Sequence, residues 1–204
     1  MKVFRIVAAF ATCSLLSQGA CASQALEILS YSVQAGLSSS VSDKGVEESA
    51  FFSEAEQSAW LAEKAGKLEK VIPDRNERLS FLQSVHYEAS RAGLDPELVL
   101  GLIQIESGFR KYAVSSVGAQ GYMQIMPFWV PTIGKKNDDL FHLRTNLRYG
   151  CTILRYYLDM EKGDLFMALG RYNGSRGKAK YPSLVYSAWS QWKATPTAKE
   201  IALN

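Results

Sequence analysis

The most constraining stretch of this chain is residues 98–105, apolar throughout except for Gly101 and Gln104. Just before it, Asp95 is placed to cap a helix, and Pro96 suits the first helical position, where a missing N–H costs nothing. The pattern predicts one helix from Pro96 to about Glu106. A helix apolar on nearly all sides belongs in the middle of a domain. Glu106 closes it on the same stripe as Val99 and Ile103, spaced i, i+4, i+7. A carboxyl carried along such a stripe is desolvated, which disfavours its charged form and raises its pKa. A proton donor working near neutral pH needs that property. The ordinary alternative is a solvated acid on a last helical turn. Against it stand the apolar stripe and the lack of any Lys or Arg before Glu106 within the helix.

The 204 residues are 47% hydrophobic and 21% charged, enough for one core in a globular domain. Residues 1–22 read as a secretory signal peptide: Lys2 and Arg5, a short apolar run, then Ala20-Cys21-Ala22 with small residues for cleavage. That run is too short to span a bilayer, so no transmembrane segment is expected in the mature chain. A lipoprotein signal acylated at Cys21 is the alternative, disfavoured because Gln18 stands where an apolar residue is usual. Loss of the leader lowers the formal charge from +3 to +1. So small an excess argues against nucleic acid as a partner, which asks for a concentrated basic face. It does not exclude an anionic polymer held mainly through neutral sugars. Cys151 then remains without an intrachain disulfide partner, on a stripe with Leu147, Leu154 and Leu158 that suits a small buried hydrophobe better than a nucleophile.

Residues 23–73 divide into a Ser-rich part read as flexible, with a short helix allowed over 24–33, and a helix capped by Ser53 and Glu56 that runs to about Lys70. Asp74 and Glu77 repeat the capping pattern for a helix with Leu79, Leu82 and His86 on one face, stopped by Gly93. His86 and His142 have no second His or Cys at ligand spacing, so no zinc or iron site is expected. Between Ser107 and Asn137 there is no acid; Gly118 and Gly121 precede Gln124, Met126, Phe128 and Trp129. Glycines let backbone approach a ligand, and aromatic faces suit sugar rings, so these apolar residues are divided between core and groove. Asn146 is read as the cap of the Cys151 helix, and Asp164 as the cap of one ending at Leu169, with a bend at Gly170. A last helix, 182–193, directs Val185, Ala188, Trp189 and Trp192 inward, and 194–204 is a loose tail. Strand signals are scarce. The expected fold is mainly α, with at most a small β-hairpin near 117–122.

Leu94-Asp95-Pro96, Glu106-Ser107-Gly108-Phe109, Ala113-Val114-Ser115, Gly118-Ala119, Gly121-Tyr122-Met123-Gln124, Met126-Pro127, Asn146-Leu147-Arg148-Tyr149-Gly150 and Tyr172-Asn173 occur in that order. Over roughly residues 74–193 this resembles the catalytic domain of the soluble lytic transglycosylases, relatives of goose-type lysozyme that cleave peptidoglycan glycan strands. The resemblance implies a lysozyme-like helical domain, no cofactor, a periplasmic setting and a monomer. It leaves open a partner in cell-wall or secretion machinery. By the same resemblance Glu106 is the acid/base, Ser107 supports the helix end and is grouped with Ser115, Gln124 and Met126 at the substrate, and Tyr172 and Asn173 stand opposite Glu106, bonding its carboxyl and the substrate. Tyr122 stands where the family usually has Leu, and Arg171 and Gly174-Ser175 replace the common Ala flanks of Tyr-Asn, which bears on subsite preference. The implied reaction forms 1,6-anhydromuramoyl ends without water. A second carboxylate would have to arrive from Asp138, Asp139, Asp159, Glu161 or Asp164. Two alternatives remain: a hydrolytic muramidase on the same fold, and a non-catalytic cell-wall binding module.

Overall fold

The computed structural model describes residues 28–42 and 54–193. The predicted central helix is α4, Pro96–Glu106: Asp95 accepts from the backbone N–H groups of Glu97 (2.7 Å) and Leu98 (3.3 Å). Its residues Val99, Leu100, Leu102 and Ile103 are fully buried. Around it, in chain order, stand α1 (Tyr31–Val41), α2 (Glu54–Leu68), α3 (Arg75–Arg91), α5 (Trp129–Ile133), α6 (Leu143–Met160), α7 (Leu165–Asn173) and α8 (Lys180–Trp192). Among the described residues the only β pairing is two isolated antiparallel bridges, Val114–Gln120 and Gln120–Ile125. The mainly α architecture is therefore as expected, and the bridges lie in the loop between α4 and α5.

The most extensive helix contact is α4 on α8. It is possible because position 101 has no side chain: a Cβ there would lie 2.6 Å from the backbone nitrogen of Trp189 and 2.8 Å from its Cα. From the other side α3 contributes Phe81, Leu82, Val85 and Ala89, all fully buried, after a cap in which Asp74 accepts from Glu77 N–H at 2.7 Å. Leu79 is only half-buried. Two buried charges fasten the outer helices. Glu88 of α3 meets Arg91, Arg144 and Arg148, the last two from α6. Lys64 of α2 meets Glu97 of α4 at 3.4 Å and donates to the Trp192 carbonyl at the end of α8. A buried ion with its hydrogen bonds complete is costly to break rather than a large net gain.

Three local readings change. The Ser-rich segment contains a full helix, α1, later in sequence than the short helix allowed for it. Ser30 accepts from Val33 N–H, Leu37 and Val41 are buried, and Gln34 donates to the Thr132 carbonyl of α5 at 2.7 Å. Tertiary contacts supply what the composition of the segment lacks. Asn146 caps nothing: α6 starts at Leu143 after His142, and Asn146 is buried inside it. Gly170 makes no bend either, because α7 runs through it to Asn173, and Gly174, at φ +74°, makes the turn. Cys151 is buried, and burial pushes its thiol far up from the reactive range. The leader 1–22, the Ser53 cap and the tail 194–204 lie outside the described residues.

The close approach at Gly101 carries a test. Gly101→Ala should lower stability by about 1–3 kcal/mol, read as a lower denaturant midpoint, although Ala is the better helix former, because the new methyl meets rigid backbone.

Candidate active site

Glu106 ends α4 half-buried, with Ile103 and Val99 beneath it in the core. Burial pushes its carboxyl up to about 8 from 4.5, held below what burial alone would give by a hydrogen bond from the Tyr181 hydroxyl to Oε1. Tyr181 is itself raised well above the usual phenol range, first by burial and then by the nearby Glu106 charge. The phenol therefore stays a donor whichever form the carboxyl takes. The crossing of α8 over α4 brings Tyr181, near the start of α8, to the end of α4.

Ser107 follows Glu106 but does not face a cleft. Its side chain is 1% exposed, and its hydroxyl bonds the carbonyls of Tyr122 (2.7 Å) and Ile103 (3.2 Å). It fastens the end of α4 to the loop, the helix-end support expected of it, while the substrate contact also given to it does not fit that geometry. Tyr172 also differs from its assignment. Its hydroxyl donates to the Met123 carbonyl at 2.8 Å, bracing the loop, while Tyr181 is the phenol on the Glu106 carboxyl. Asn173, beside it, is buried with its Nδ2 lacking any hydrogen-bond partner. Buried polar atoms are rarely left so.

The loop of residues 113–126 holds the other three candidates. Gln124 sits in the left-handed region at φ +50° and is buried, its amide donating to the carbonyls of Gly121 (2.9 Å) and Ala113 (3.1 Å). Ser115 Oγ accepts from Ala119 N–H at 3.0 Å. Both Ser115 and Met126 are half-buried. Of the apolar residues divided between core and groove, Met123, Ile125 and Trp129 are core, whereas Met126 and Phe128 pack against the core with partial exposure. The loop is clasped from α6. Asn146 Oδ1 accepts from Met123 N–H (2.8 Å), and Nδ2 donates to the carbonyls of Gln120 (2.9 Å) and Leu140 (2.8 Å). Gly121, at φ +75°, makes room for it: a Cβ there would lie 2.3 Å from Asn146 Nδ2.

Each candidate for a second carboxylate is engaged elsewhere. Asp138 accepts from the Tyr149 hydroxyl (2.7 Å) and Lys135 N–H (3.0 Å), and Asp139 from Phe141 N–H (2.8 Å). Asp159 pairs with Arg155, and Asp164 caps α7 through Met167 N–H. Glu161 is held down at about 2 by hydrogen bonds from Arg176 and Arg171. Among the described residues no group of three or more His, Cys, Asp or Glu is placed to hold a metal ion.

Sequence reasoning missed Tyr181 and misread the role of Asn146. Tyr181 extends the Val185, Ala188, Trp192 stripe of α8 by one turn, a signal that was present. Asn146 gave a misleading one, since Asn at the start of an apolar helix reads as a cap.

This arrangement, a desolvated acid with a phenol on it beside a clasped loop, marks a helical domain whose central helix ends in a carboxyl of raised pKa. The chain belongs to the transglycosylase SLT domain family, which matches residues 83–188. It is 33% identical over 103 residues to a transglycosylase of Enterobacteria phage PRD1, covering 50% of this chain and 38% of that protein. It is 45% identical over 47 residues to the membrane-bound lytic murein transglycosylase C of Actinobacillus pleuropneumoniae serotype 5b, covering 23% of this chain and 13% of the relative. The chain thus spans well under half the length of these relatives. An inactive mutant of the lytic transglycosylase Slt from Pseudomonas aeruginosa superposes with a TM-score of 0.49 at 19% identity, over 68% of this chain and 28% of that one.

The raised carboxyl makes stability depend on pH. Below about 4.5 folded and unfolded chains both hold the Glu106 proton; between there and about 8 only the folded chain does, so stability falls as pH rises through that window. Glu106→Gln removes this loss. Its melting temperature should exceed the wild type's by a margin that grows from pH 5 to pH 8, corresponding to a few kcal/mol at the upper end (order of magnitude).

Proposed function

We propose that the protein is an exported lytic transglycosylase that cuts the β-1,4 bond between N-acetylmuramic acid and N-acetylglucosamine in peptidoglycan. One observation carries this reading above the others: the Glu106 carboxyl is poised at about 8, with the Tyr181 hydroxyl on it and other acids bound elsewhere. At neutral pH such a group holds its proton and can give it to the glycosidic oxygen. The C1–O bond breaks, its electron pair goes to the departing oxygen, and that oxygen leaves as a hydroxyl. The positive charge on the sugar ring is met by the substrate's own acetamido carbonyl.

Glu106 is now a carboxylate, and the Tyr181 hydroxyl supports that form. It draws the proton from the muramoyl 6-hydroxyl as that oxygen closes on the anomeric carbon. The proton returns to Glu106, and the product is a 1,6-anhydromuramoyl end. An intramolecular attack has a high effective concentration, so no second carboxylate is needed to activate water. Buried groups around the site fit subsidiary roles. The unpartnered Asn173 amide is available to a sugar hydroxyl or acetamide, while Ser115, Gln124 and Met126 belong to the loop that holds the strand. Export to the periplasm is supported by the leader at residues 1–22. No helix among the described residues is long and apolar enough to cross a membrane.

Purified sacculi incubated with the protein should release anhydro-muropeptides, identified by mass. Glu106→Gln should remain folded and lose release by on the order of 10²–10⁴-fold. Reducing muropeptide ends as the main product would instead mark a hydrolytic muramidase, and an inactive wild type a binding module. The alkaline limb of the pH–rate profile should fall near pH 8. In Tyr181→Phe that limb should move to higher pH while kcat drops, because the donor that favours the carboxylate is gone.

A further inference from the structure

Among the aromatic residues proposed from sequence as sugar faces, Trp129 is 2% exposed, and Phe128 packs on it with ring centroids 5.4 Å apart. The large aromatic surface that does face solvent here is elsewhere on the same loop. Tyr112 is 71% exposed and lies with the exposed Val114 and Val117 in one short stretch of the loop, so the apolar surface here is a cluster and not a single ring. It meets Phe141 at 5.8 Å with the planes inclined by 49°, and the Lys111 ammonium lies 5.1 Å from its centroid.

Its attachment is rigid. Ala113, the next residue, gives its carbonyl to both Gln124 Nε2 and Gly121 N–H, and Phe141 follows Leu140, whose carbonyl is held by Asn146. On the side of the acid, Ser107, adjacent to Glu106, bonds the carbonyl of Tyr122 in the same loop. Tyr112 thus stands on the loop that carries Ser115 and Gln124, with Val114 and Val117 also exposed beside it. The segment has cations at Arg110, Lys111, Lys135 and Lys136 and no acid between Ser107 and Asn137. Such a surface suits an uncharged ring belonging to an anionic polymer.

We infer that Tyr112, backed by Phe141, is a stacking subsite for an N-acetylhexosamine ring of the glycan strand, beyond the two sugars joined by the bond that is cut. The inference rests on the glycan-cleaving reading above. An aromatic face offers the apolar C–H face of a pyranose a dry contact, and the tilted Phe141 holds the ring in place at little cost in conformational entropy. Lys111 can swing aside or meet a carboxylate carried by the strand.

The full chain would be titrated calorimetrically with a ladder of stem-free N-acetylglucosamine oligomers, beside sacculus digestion by the same preparations. Affinity should rise with oligomer length. Tyr112→Ala should weaken the longest oligomers by about 5–10-fold and leave the shortest unchanged, while Tyr112→Phe, which keeps the ring, stays within about twofold of wild type. Equal binding of long oligomers by Tyr112→Ala and wild type, with both digesting sacculi, would overturn the subsite and leave the enzymatic reading standing. A difference seen only with stem-bearing muropeptides would overturn it in favour of a peptide contact. Self-association of wild type that Tyr112→Ala abolishes would overturn it in favour of a second copy. A wild type that neither binds oligomers nor digests sacculi would remove both readings together.

Discussion

A carboxyl keeps its proton near neutrality only while water is held away from it, and here that exclusion rests on two helices lying nearly in backbone contact. Gly101 lets α8 settle directly onto α4, and the same crossing carries Tyr181 to Glu106. Desolvation and hydrogen bonding pull the carboxyl in opposite directions. Desolvation is the larger effect, so the group rests protonated, yet the phenol keeps its ionised form within reach. One helix–helix contact thereby brings together the acid and the phenol that opposes its desolvation. The remaining helices serve that contact, as when Lys64 ties α2 to the start of α4 and the end of α8 in one position.

The loop facing the acid depends on a different device. It has little regular structure: Gln124 and Gly121 take backbone angles that strands and helices avoid, the only ladder is a pair of isolated bridges, and within the loop the Gln124 amide and the Ser115 hydroxyl hold backbone groups. The helices beneath add Asn146 on α6 and Tyr172 on α7, which bond Gln120 and Met123 backbone groups. A polar side chain buried with its bonds complete specifies position sharply, because any slip leaves a donor or acceptor unmet.

How much of this was legible in the sequence follows from the range of each interaction. Local signals were read well: the Asp95, Asp74 and Asp164 caps, the buried run of α4 and the stripe leading to Glu106 all depend on neighbours within a few residues. Residues whose partners lie far along the chain were misread or missed. Asn146 has the composition of a cap and the position of a clasp, and nothing within α6 distinguishes the two. Tyr181 is separated from Glu106 by most of the domain, and only the α4–α8 crossing joins them. α1 was hidden by its Ser-rich composition, because what makes it a helix is the surface of α5 and α6 under Leu37 and Val41. The paired motif Tyr172-Asn173 was read as facing the acid, whereas the Tyr172 hydroxyl bonds the Met123 carbonyl. The distribution of bonds between the two phenols was legible only from coordinates.

The clasp at Asn146 has an evolutionary corollary. Because the contour of the loop is held from the helices beneath it and by Gln124 and Ser115 within it, the side chains on its outer surface bear no responsibility for folding. Positions such as Tyr112, Val114 and Val117 can be exchanged by mutation without disturbing the acid or its phenol. A scaffold of this kind can diversify what it grips while inheriting its chemistry unchanged.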